Sequence, residues 1–259
     1  MPPAHPNREE LIRVAHALAD AARIETLAHF RAAGLTADNK LAGGFDPVTV
    51  ADRNAERRMR DLLANLRPDD AILGEEFGAT DSPARRRWVV DPIDGTVAFA
   101  RGIPLFTTII ALLVDDEPVV GMIDLPAVDD RIGGFAGGGV HRGSERLSVS
   151  KVERLSDSLV SHGDLVCFDR AGLRGLHEAM AKAIPKLRGY TDAFGHLLVL
   201  SGAADAMVDC DLNPWEAAAT RILALEAGGV CWMREREGGK KLDLLFGNPA
   251  IVGEIGRLV

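Results

Sequence analysis

The segment 88–96 constrains the fold more than any other, because it places two carboxylates at the end of an apolar strand. Residues 88–90 predict the end of a buried strand, and Asp91 and Asp94 enclose a predicted Pro-Ile turn. A short helix is expected from Gly95 to Arg101. Burying two neighbouring carboxylates is costly, since like charges repel and each group loses water. A divalent cation bound by both removes that cost, and oxygen ligands on a tight turn suit Mg²⁺ or Mn²⁺.

The helix that begins beside these aspartates suits a second kind of ligand. Its first backbone N–H groups point out of the helix end, where they favour a phosphate. This short segment is therefore expected to hold metal and phosphate together. The alternative is that Asp91 and Asp94 only cap the helix, since Asp is common at helix N-termini.

Composition and charge exclude several classes of protein. The chain has 259 residues, of which 47% are hydrophobic, and this allows one large domain or two modest ones. A net charge of −8 without a basic stripe argues against a nucleic-acid partner. No stretch approaches the roughly 18 apolar residues of a membrane span, and the N-terminus has no apolar signal core. We therefore expect neither a nucleic-acid partner nor a membrane partner.

The cysteines indicate a reducing environment. Cys167, Cys210 and Cys231 are odd in number, far apart and outside any Cys-x-x-Cys pair. This pattern favours buried thiols and a cytoplasmic location, and it argues against structural zinc.

Further acidic residues stand where predicted elements begin or end. Asp52 takes the N-cap position of a predicted helix, Glu75 and Glu76 follow a short apolar strand, and Glu216 lies in the first turn of another helix. Each has a structural alternative. Asp52 would only cap its helix, the glutamates would lie in a solvated loop, and Glu216 would only favour the helix dipole.

The remaining pattern places helices on both sides of a long β region. A helix is predicted over residues 7–33, capped by Asn7 and ended by Gly34, and a loop is predicted over residues 37–47. Residues 105–149 follow a β pattern, and helices and strands then alternate to the C-terminus. This order favours an α/β layered sandwich.

We expect two halves. Residues 1–150 would form an N-terminal α+β half that carries most of the metal ligands, and residues 151–259 would form an α/β half that completes the site. The C-terminal half includes a helix predicted over residues 171–184, which Pro185 ends.

Together these segments resemble the inositol monophosphatase family of metal-dependent, lithium-sensitive phosphatases. The resemblance covers nearly the whole chain and rests on segments in family order: Asp46 to Asp52, Gly74-Glu75-Glu76, Asp91 to Thr96, Pro214 to Ala218 and Glu226 to Gly229. The histidinol-phosphatase branch is the most similar, through residues 74–78, 101–104, 147–150 and 192–216. The resemblance implies an αβαβα sandwich of the inositol monophosphatase/fructose-1,6-bisphosphatase type, with the site between its halves. It also implies Mg²⁺ and a homodimer.

Metal ligands follow from the resemblance residue by residue. Glu75 and Asp91 resemble the ligands of a first ion, aided by the Ile93 carbonyl. Asp91 would bridge to a second ion, which Asp94 and Glu216 also hold. We expect two or three Mg²⁺ ions, which Mn²⁺ can replace. Glu216 departs from the family pattern, which usually has Asp after the Trp, and its extra methylene is expected to weaken the second site or favour Mn²⁺.

The resemblance also implies catalytic and substrate-binding residues. Thr96, supported by Asp52, resembles the pair that orients the attacking water, and Glu75 acts with them in catalysis. The N–H groups of Gly95 and Thr96 would hold phosphate oxygens. Asp192 lies where the family places contacts to a substrate hydroxyl or amine.

The resulting hypothesis is a phosphomonoesterase for a small phosphorylated substrate. It would hydrolyse L-histidinol phosphate, in histidine biosynthesis, by in-line attack of a metal-activated water on phosphorus. One alternative is a phosphatase for inositol 1-phosphate or another small polyol phosphate. Another alternative is a catalytically impaired family member that acts as a binding protein.

Overall fold

The computed structural model describes most of the chain. It covers residues 8–32, 37–39, 47–80 and 82–258, with the backbone alone for residues 37–39, 47 and 48. The predicted helix cap Asn7, the predicted helix end at Gly34 and the motif residue Asp46 lie outside the described residues.

Within these ranges the structure has eight α-helices and fifteen β-strands, besides three short 3₁₀ helices. The helices are α1 (Arg8–His29), α2 (Val50–Leu66), α3 (Thr96–Ala100), α4 (Leu165–Arg170), α5 (Arg174–Ala183), α6 (Asp192–Leu200), α7 (Pro214–Glu226) and α8 (Pro249–Ile255). The strands are β1 (Ala37–Asn39), β2 (Pro47–Thr49), β3 (Ala71–Gly74), β4 (Gly78–Ala79), β5 (Arg86–Asp94), β6 (Thr107–Val114), β7 (Glu117–Leu125), β8 (Asp130–Phe135), β9 (Gly139–Arg142), β10 (Glu145–Leu147), β11 (Leu159–His162), β12 (Lys186–Arg188), β13 (Ala206–Leu212), β14 (Val230–Arg236) and β15 (Lys241–Gly247).

Two large sheets organise these strands. The first has eight strands in the order β10-β9-β8-β7-β6-β5-β3-β4, and the second has five in the order β12-β11-β13-β15-β14. The first sheet is antiparallel except where β3 runs parallel to β5. β1 and β2 pair separately. In the sequence, the strands of the eight-stranded sheet precede residue 150 and those of the five-stranded sheet follow it. The division of the chain into two domains stays a prediction.

The sheets and helices stack as the expected αβαβα sandwich. α1 and α2 pack on one face of the eight-stranded sheet. α6 and α7 lie between the two sheets and share one core with both. α4, α5 and α8 cover the outer face of the five-stranded sheet. Among the described residues, none of the helices has the length and apolar character that a bilayer crossing requires.

The central strands are apolar along their length because both of their faces are covered. On β5, Val89 packs in the core shared with α6 and α7, whereas Trp88 and Val90 face α1 and α2. On β6, Ile109 packs in the core shared with α6 and α7, whereas Ile110 faces α1 and α2. Alternate residues of a strand point to opposite faces, so a strand buried on both faces has a continuous apolar sequence.

Some local predictions were wrong. The predicted Pro-Ile turn is a bulge inside β5, which pairs with β6 again at Asp94. The predicted loop over residues 37–47 contains β1 and the beginning of β2. The helix predicted over residues 171–184 is only α5, and the preceding α4 was missed. Gly172 lies between them with φ +70°, a left-handed conformation that separates the two helices.

A glycine sets the distance between α7 and the eight-stranded sheet. A Cβ at Gly121 would lie 2.8 Å from the carbonyl oxygen of Ala219 on α7. A larger residue at position 121 would therefore displace α7, the helix that carries Glu216.

We expect Gly121→Ala to lower the free energy of unfolding by about 1–3 kcal/mol, because the added methyl group overpacks the helix–sheet interface. Urea unfolding measures this change. Gly253→Ala on α8 is the matched control, since nothing lies within 4 Å of its Cβ and alanine favours a helix. Equal destabilisation by both substitutions would contradict the packing argument.

Candidate active site

The predicted acidic residues converge on one cavity of about 700 Å³, which is lined from both halves of the chain. Most of the predicted site residues line this cavity: Glu75, Asp91, Ile93, Asp94, Gly95, Thr96, Asp192 and Glu216. Asp52 is not among the lining residues and lies buried, 1% exposed.

The bulge in β5 brings its two aspartates to the same side. In a regular strand, residues three apart point to opposite faces. The register of β5 against β6 shifts between Asp91 and Asp94, and the bulge turns the second carboxylate back toward the first. Glu216 approaches from the first turn of α7. Each of these acids offers an oxygen, and these oxygens lie within 4.8 Å of one another.

The strand pairing explains how Glu75 joins this group. β3 runs parallel to β5 with Gly74 beside Val90, so Glu75, the first residue after β3, lies next to Asp91, which continues β5. Their side chains hydrogen-bond each other. The arrangement argues against the alternative in which Glu75 is only a solvated loop residue, because this side chain is half-buried.

Burial and mutual repulsion raise the pKa values of these carboxyl groups. The pKa of Asp91 is well above its usual range because of burial and the negative charges of Glu75, Asp94 and Glu216. Burial and Asp192 raise the pKa of Asp94 to about 7. Burial and Asp94 raise the pKa of Glu216 well above its usual range.

This donor set fits a hard divalent cation. All the side-chain donors are carboxylate oxygens, and they come from three separate segments of the chain. A bound cation offsets both the repulsion and the lost hydration that raise these pKa values. Oxygen-only ligation suits Mg²⁺ or Mn²⁺ better than softer metals.

Asp94 is also fixed by hydrogen bonds from two other elements. The backbone N–H of Ala193, at the beginning of α6, donates to Asp94 Oδ2 at 2.6 Å. The Thr107 hydroxyl on β6 donates to the same oxygen at 3.0 Å. These bonds join β5, β6 and α6 at the site.

The short helix α3 begins without an aspartate cap. Its N-cap is Gly95 with φ +77°, and no side chain caps it. Asp91 Oδ1 instead accepts from the N–H of Ile93 at 3.2 Å. The alternative in which Asp91 and Asp94 serve only to cap this helix is therefore wrong. The Thr96 hydroxyl donates to the Ile93 carbonyl at 3.0 Å, which leaves the lone pairs of Thr96 Oγ1 to accept a further hydrogen bond.

The N-cap of α2 is Thr49, so the prediction that Asp52 is the N-cap was wrong. β2 ends at Thr49 and the helix has already begun at Val50, which puts Asp52 at the third helical position. Asp52 Oδ2 accepts from the Thr49 N–H at 2.8 Å and from its hydroxyl at 2.5 Å, in a capping box. Burial raises the pKa of Asp52 to about 6, and the negative charge of Glu75 adds to this effect. In this arrangement Asp52 hydrogen-bonds Thr49 rather than Thr96, and the water-orienting role of the two residues stays a prediction.

Glu216 has a structural role at the beginning of α7 and also belongs to the acid cluster. It is the third residue of α7, and its Oε2 accepts a short hydrogen bond from the N–H of Asn213. Capping by Glu216 and its approach to Asp91 and Asp94 are therefore compatible.

Sequence reasoning predicted Asp192 at the site but missed the acids that lie beside it. Asp192, with φ +58°, lies beside Asp164, Asp209 and Asp211 around an adjoining space of about 80 Å³. Burial and the charges of Asp209 and Asp164 raise the pKa of Asp192 to about 6. The signal in the sequence was a pair of aspartates inside the apolar strand β13, where a charged residue needs a partner or a ligand.

Comparisons with known proteins found relatives that match most of this chain. The family model for the inositol monophosphatase family matches residues 7–253. The histidinol-phosphatase of Mycobacterium tuberculosis is 38% identical over 84% of this chain and 85% of its own. The histidinol-phosphatase of Streptomyces coelicolor is 36% identical over 85% of each chain. The inositol monophosphatase of Dictyostelium discoideum is 34% identical over 84% of each.

Solved structures share the fold. The inositol monophosphatase of Zymomonas mobilis matches with a TM-score of 0.84 and 30% identity, over 98% of this chain and 99% of its own. The extragenic suppressor protein SuhB of Bartonella henselae matches with a TM-score of 0.86 and 27% identity, over 96% and 98%. The layered architecture is therefore that of inositol monophosphatase structures.

We expect Asp94→Asn to stabilise the cation-free protein increasingly as the pH rises. The pKa of Asp94 is about 7 in the folded protein against 3.8 ordinarily, so the folded state holds a proton that the unfolded chain has released. Between these values this group therefore costs more stability as the pH rises. The gain from the substitution should be on the order of 2 kcal/mol at about pH 8 and smaller at about pH 5.

Urea unfolding of both proteins in excess chelator measures this gain. Asp129→Asn is the matched control, because an ion pair with Arg23 lowers the pKa of this exposed carboxyl group. The control should show no gain over the same pH range. A gain from Asp94→Asn that is independent of pH would contradict the assignment.

Proposed function

The chain belongs to the inositol monophosphatase family of phosphomonoester hydrolases, and we propose that its substrate is L-histidinol phosphate. The observation that carries this proposal is the charge of the cavity beyond the metal cluster. Asp164 and Asp192 line this part of the cavity. Asp211, Arg170 and Lys241 line it too, but Asp211 is already paired with Arg236 at 2.6 Å and with Arg170 at 3.5 Å, so Asp164 and Asp192 carry the argument. Histidinol carries a protonated amine, which these carboxylates complement, whereas the inositol ring is uncharged.

Aromatic side chains support the same substrate. Tyr190, Phe194 and Trp215 line the cavity, and the rings of Tyr190 and Phe194 meet edge to face at 6.0 Å. A planar imidazole can pack against such rings, and its cationic form gains from their faces. Two of the relatives compared are histidinol-phosphatases, which adds support from sequence similarity.

The proposed cofactor is Mg²⁺, as two or three ions, with Mn²⁺ as a substitute. Glu75, Asp91, Asp94 and Glu216 would hold these ions, together with the carbonyl of Ile93. When bound, such cations lower the pKa of water and neutralise the charge that develops on phosphoryl and leaving-group oxygens. The carboxylates would keep the cations in place, because the sheet and the helices fix these side chains from several directions.

The remaining roles belong to groups around the phosphate. Thr96 Oγ1, with its own proton donated to the Ile93 carbonyl, can accept a hydrogen bond from the attacking water, and Asp52 supports this end of the site. The N–H groups of Gly95 and Thr96 would hold phosphate oxygens. Asp192 would bind the amine of the substrate.

In the proposed reaction, water attacks phosphorus in line with the ester oxygen. A P–O bond to water forms while the P–O bond to histidinol breaks, and the leaving oxygen takes a proton from water. The products are L-histidinol and inorganic phosphate. A homodimer of this chain is part of the proposal, as the family resemblance implies.

A phosphate-release assay with Mg²⁺ on L-histidinol phosphate, inositol 1-phosphate and glycerol phosphate tests this function. We expect the highest kcat/KM for L-histidinol phosphate, and inhibition by Li⁺. Activity confined to inositol 1-phosphate would support the alternative of a polyol-phosphate phosphatase, which the inositol monophosphatase relatives favour. No release from any substrate would instead support a binding protein.

Substitution of Glu216 separates its charge from its capping role. Glu216→Gln can still accept the hydrogen bond from Asn213 but removes the negative charge. We expect Glu216→Gln to raise the Mn²⁺ concentration for half-maximal turnover by at least about tenfold, and Glu216→Asp to remain active. If Glu216→Gln titrates with Mn²⁺ like the wild type, Glu216 is not a metal ligand.

A further inference from the structure

The turn that carries Glu75 is held from behind by a buried carboxylate. Residues 75–77 connect β3 to β4, and Glu56 on α2 faces the backbone of this turn. Glu56 Oε2 accepts from the N–H of Glu76 at 2.7 Å, and Oε1 accepts from the N–H of Phe77 at 3.2 Å. Glu56 has no solvent exposure. Charge-assisted hydrogen bonds of this kind are short and strong when buried.

The local sequence permits this close approach. A Cβ at Gly74 would lie 2.1 Å from Glu56 Oε1, so only glycine leaves room for the carboxylate. Arg60, one helical turn after Glu56, donates from Nε to Oε1 at 2.8 Å and donates also to the carbonyl of Gly78. The negative charge is therefore paired, and the turn is attached to α2 at the two residues after Glu75 and at Gly78.

Glu56 also stands one turn after Asp52 on the same helix, and residues four apart lie on one helix face. The same face therefore presents Asp52 and Glu56 to the end of β3, where Glu75 begins the turn. Both carboxylates are buried, 1% and 0% exposed, and neither lines the cavity. Glu56 accepts hydrogen bonds from backbone N–H groups on the C-terminal side of Glu75. It therefore influences the site through the position of the turn.

We infer that Glu56 is a positioning residue for the metal centre, which fixes the turn 75–77 so that the Glu75 carboxylate reaches Asp91. The inference rests on the proposed metal centre. The reach of the Glu75 carboxylate depends on where its backbone lies, so a turn that is already fixed spares cation binding the entropic cost of ordering that backbone. Groups that orient ligands from behind contribute strongly to metal affinity.

Direct Mn²⁺ binding to Glu56→Gln, measured by titration calorimetry without substrate, tests this inference. The amide keeps one oxygen acceptor but loses the charge and presents an NH₂ group to a backbone donor. We expect Mn²⁺ affinity to fall by about 10- to 100-fold. The KM for substrate at saturating Mn²⁺ should stay within about twofold of wild type, since Glu56 does not line the cavity. Glu25→Gln is the matched control, since it removes a glutamate–arginine pair, with Arg58, outside the cavity.

A second variant addresses the same contact from the other side. Gly74→Ala displaces the Glu56 carboxylate without removing it, and it should weaken Mn²⁺ binding in the same direction. The double variant should lose less than the product of the two single losses, because both changes break the same contact.

The outcomes separate this inference from the proposed function. Wild-type affinity in both variants, even with reduced thermal stability, would show that Glu56 is only structural and would overturn the inference. Failure of the wild-type protein itself to bind Mn²⁺ would overturn the proposed metal centre, and the inference with it.

Discussion

Repulsion among buried carboxylates is the constraint on which the rest of the site depends. Asp91 and Asp94 come from one strand and Glu216 from a helix on the opposite side, yet their oxygens meet within 4.8 Å. In a medium of low polarity this proximity favours either protonation or a bound cation. The fold must therefore be stable enough elsewhere to bring these groups together, and cation binding then returns part of that free energy.

The surrounding structure meets this demand by joining the elements that carry the acids. α6 and α7 lie between the two sheets, in a core that both sheets share. One turn below the site, His196 Nδ1 and the Thr220 hydroxyl lie 2.7 Å apart and connect these helices. His196 Nε2 bonds Asp209 on β13 at 2.9 Å, so the acidic end of the cavity is tied to the same network. Asp91, Asp94 and Glu216 thus lie on strands and helices, whereas Glu75 lies on a turn.

Sequence reasoning located the acids better than it described their backbone. A strand end followed by Asp91 and Asp94 was recognisable because apolar runs and charged residues differ sharply in burial. The bulge was not, because a proline between polar residues is equally typical of a turn. Thr49 was missed as the N-cap since β2 leads directly into α2. Asp209 was missed because its position inside an apolar strand becomes meaningful only when its neighbours in space are known.

The sequence by itself determined the kinds of layers and the chemistry of the ligands. Burial pattern decides which faces are covered, and carboxylate oxygens decide which cations fit. Only the tertiary structure decided which acids meet. Glu75 adjoins Asp91 because β3 pairs in parallel with β5, and Glu56 reaches the turn because Gly74 leaves room for it. Such contacts join residues far apart in the chain, and their distances depend on the packing of whole elements, which local sequence preferences do not specify.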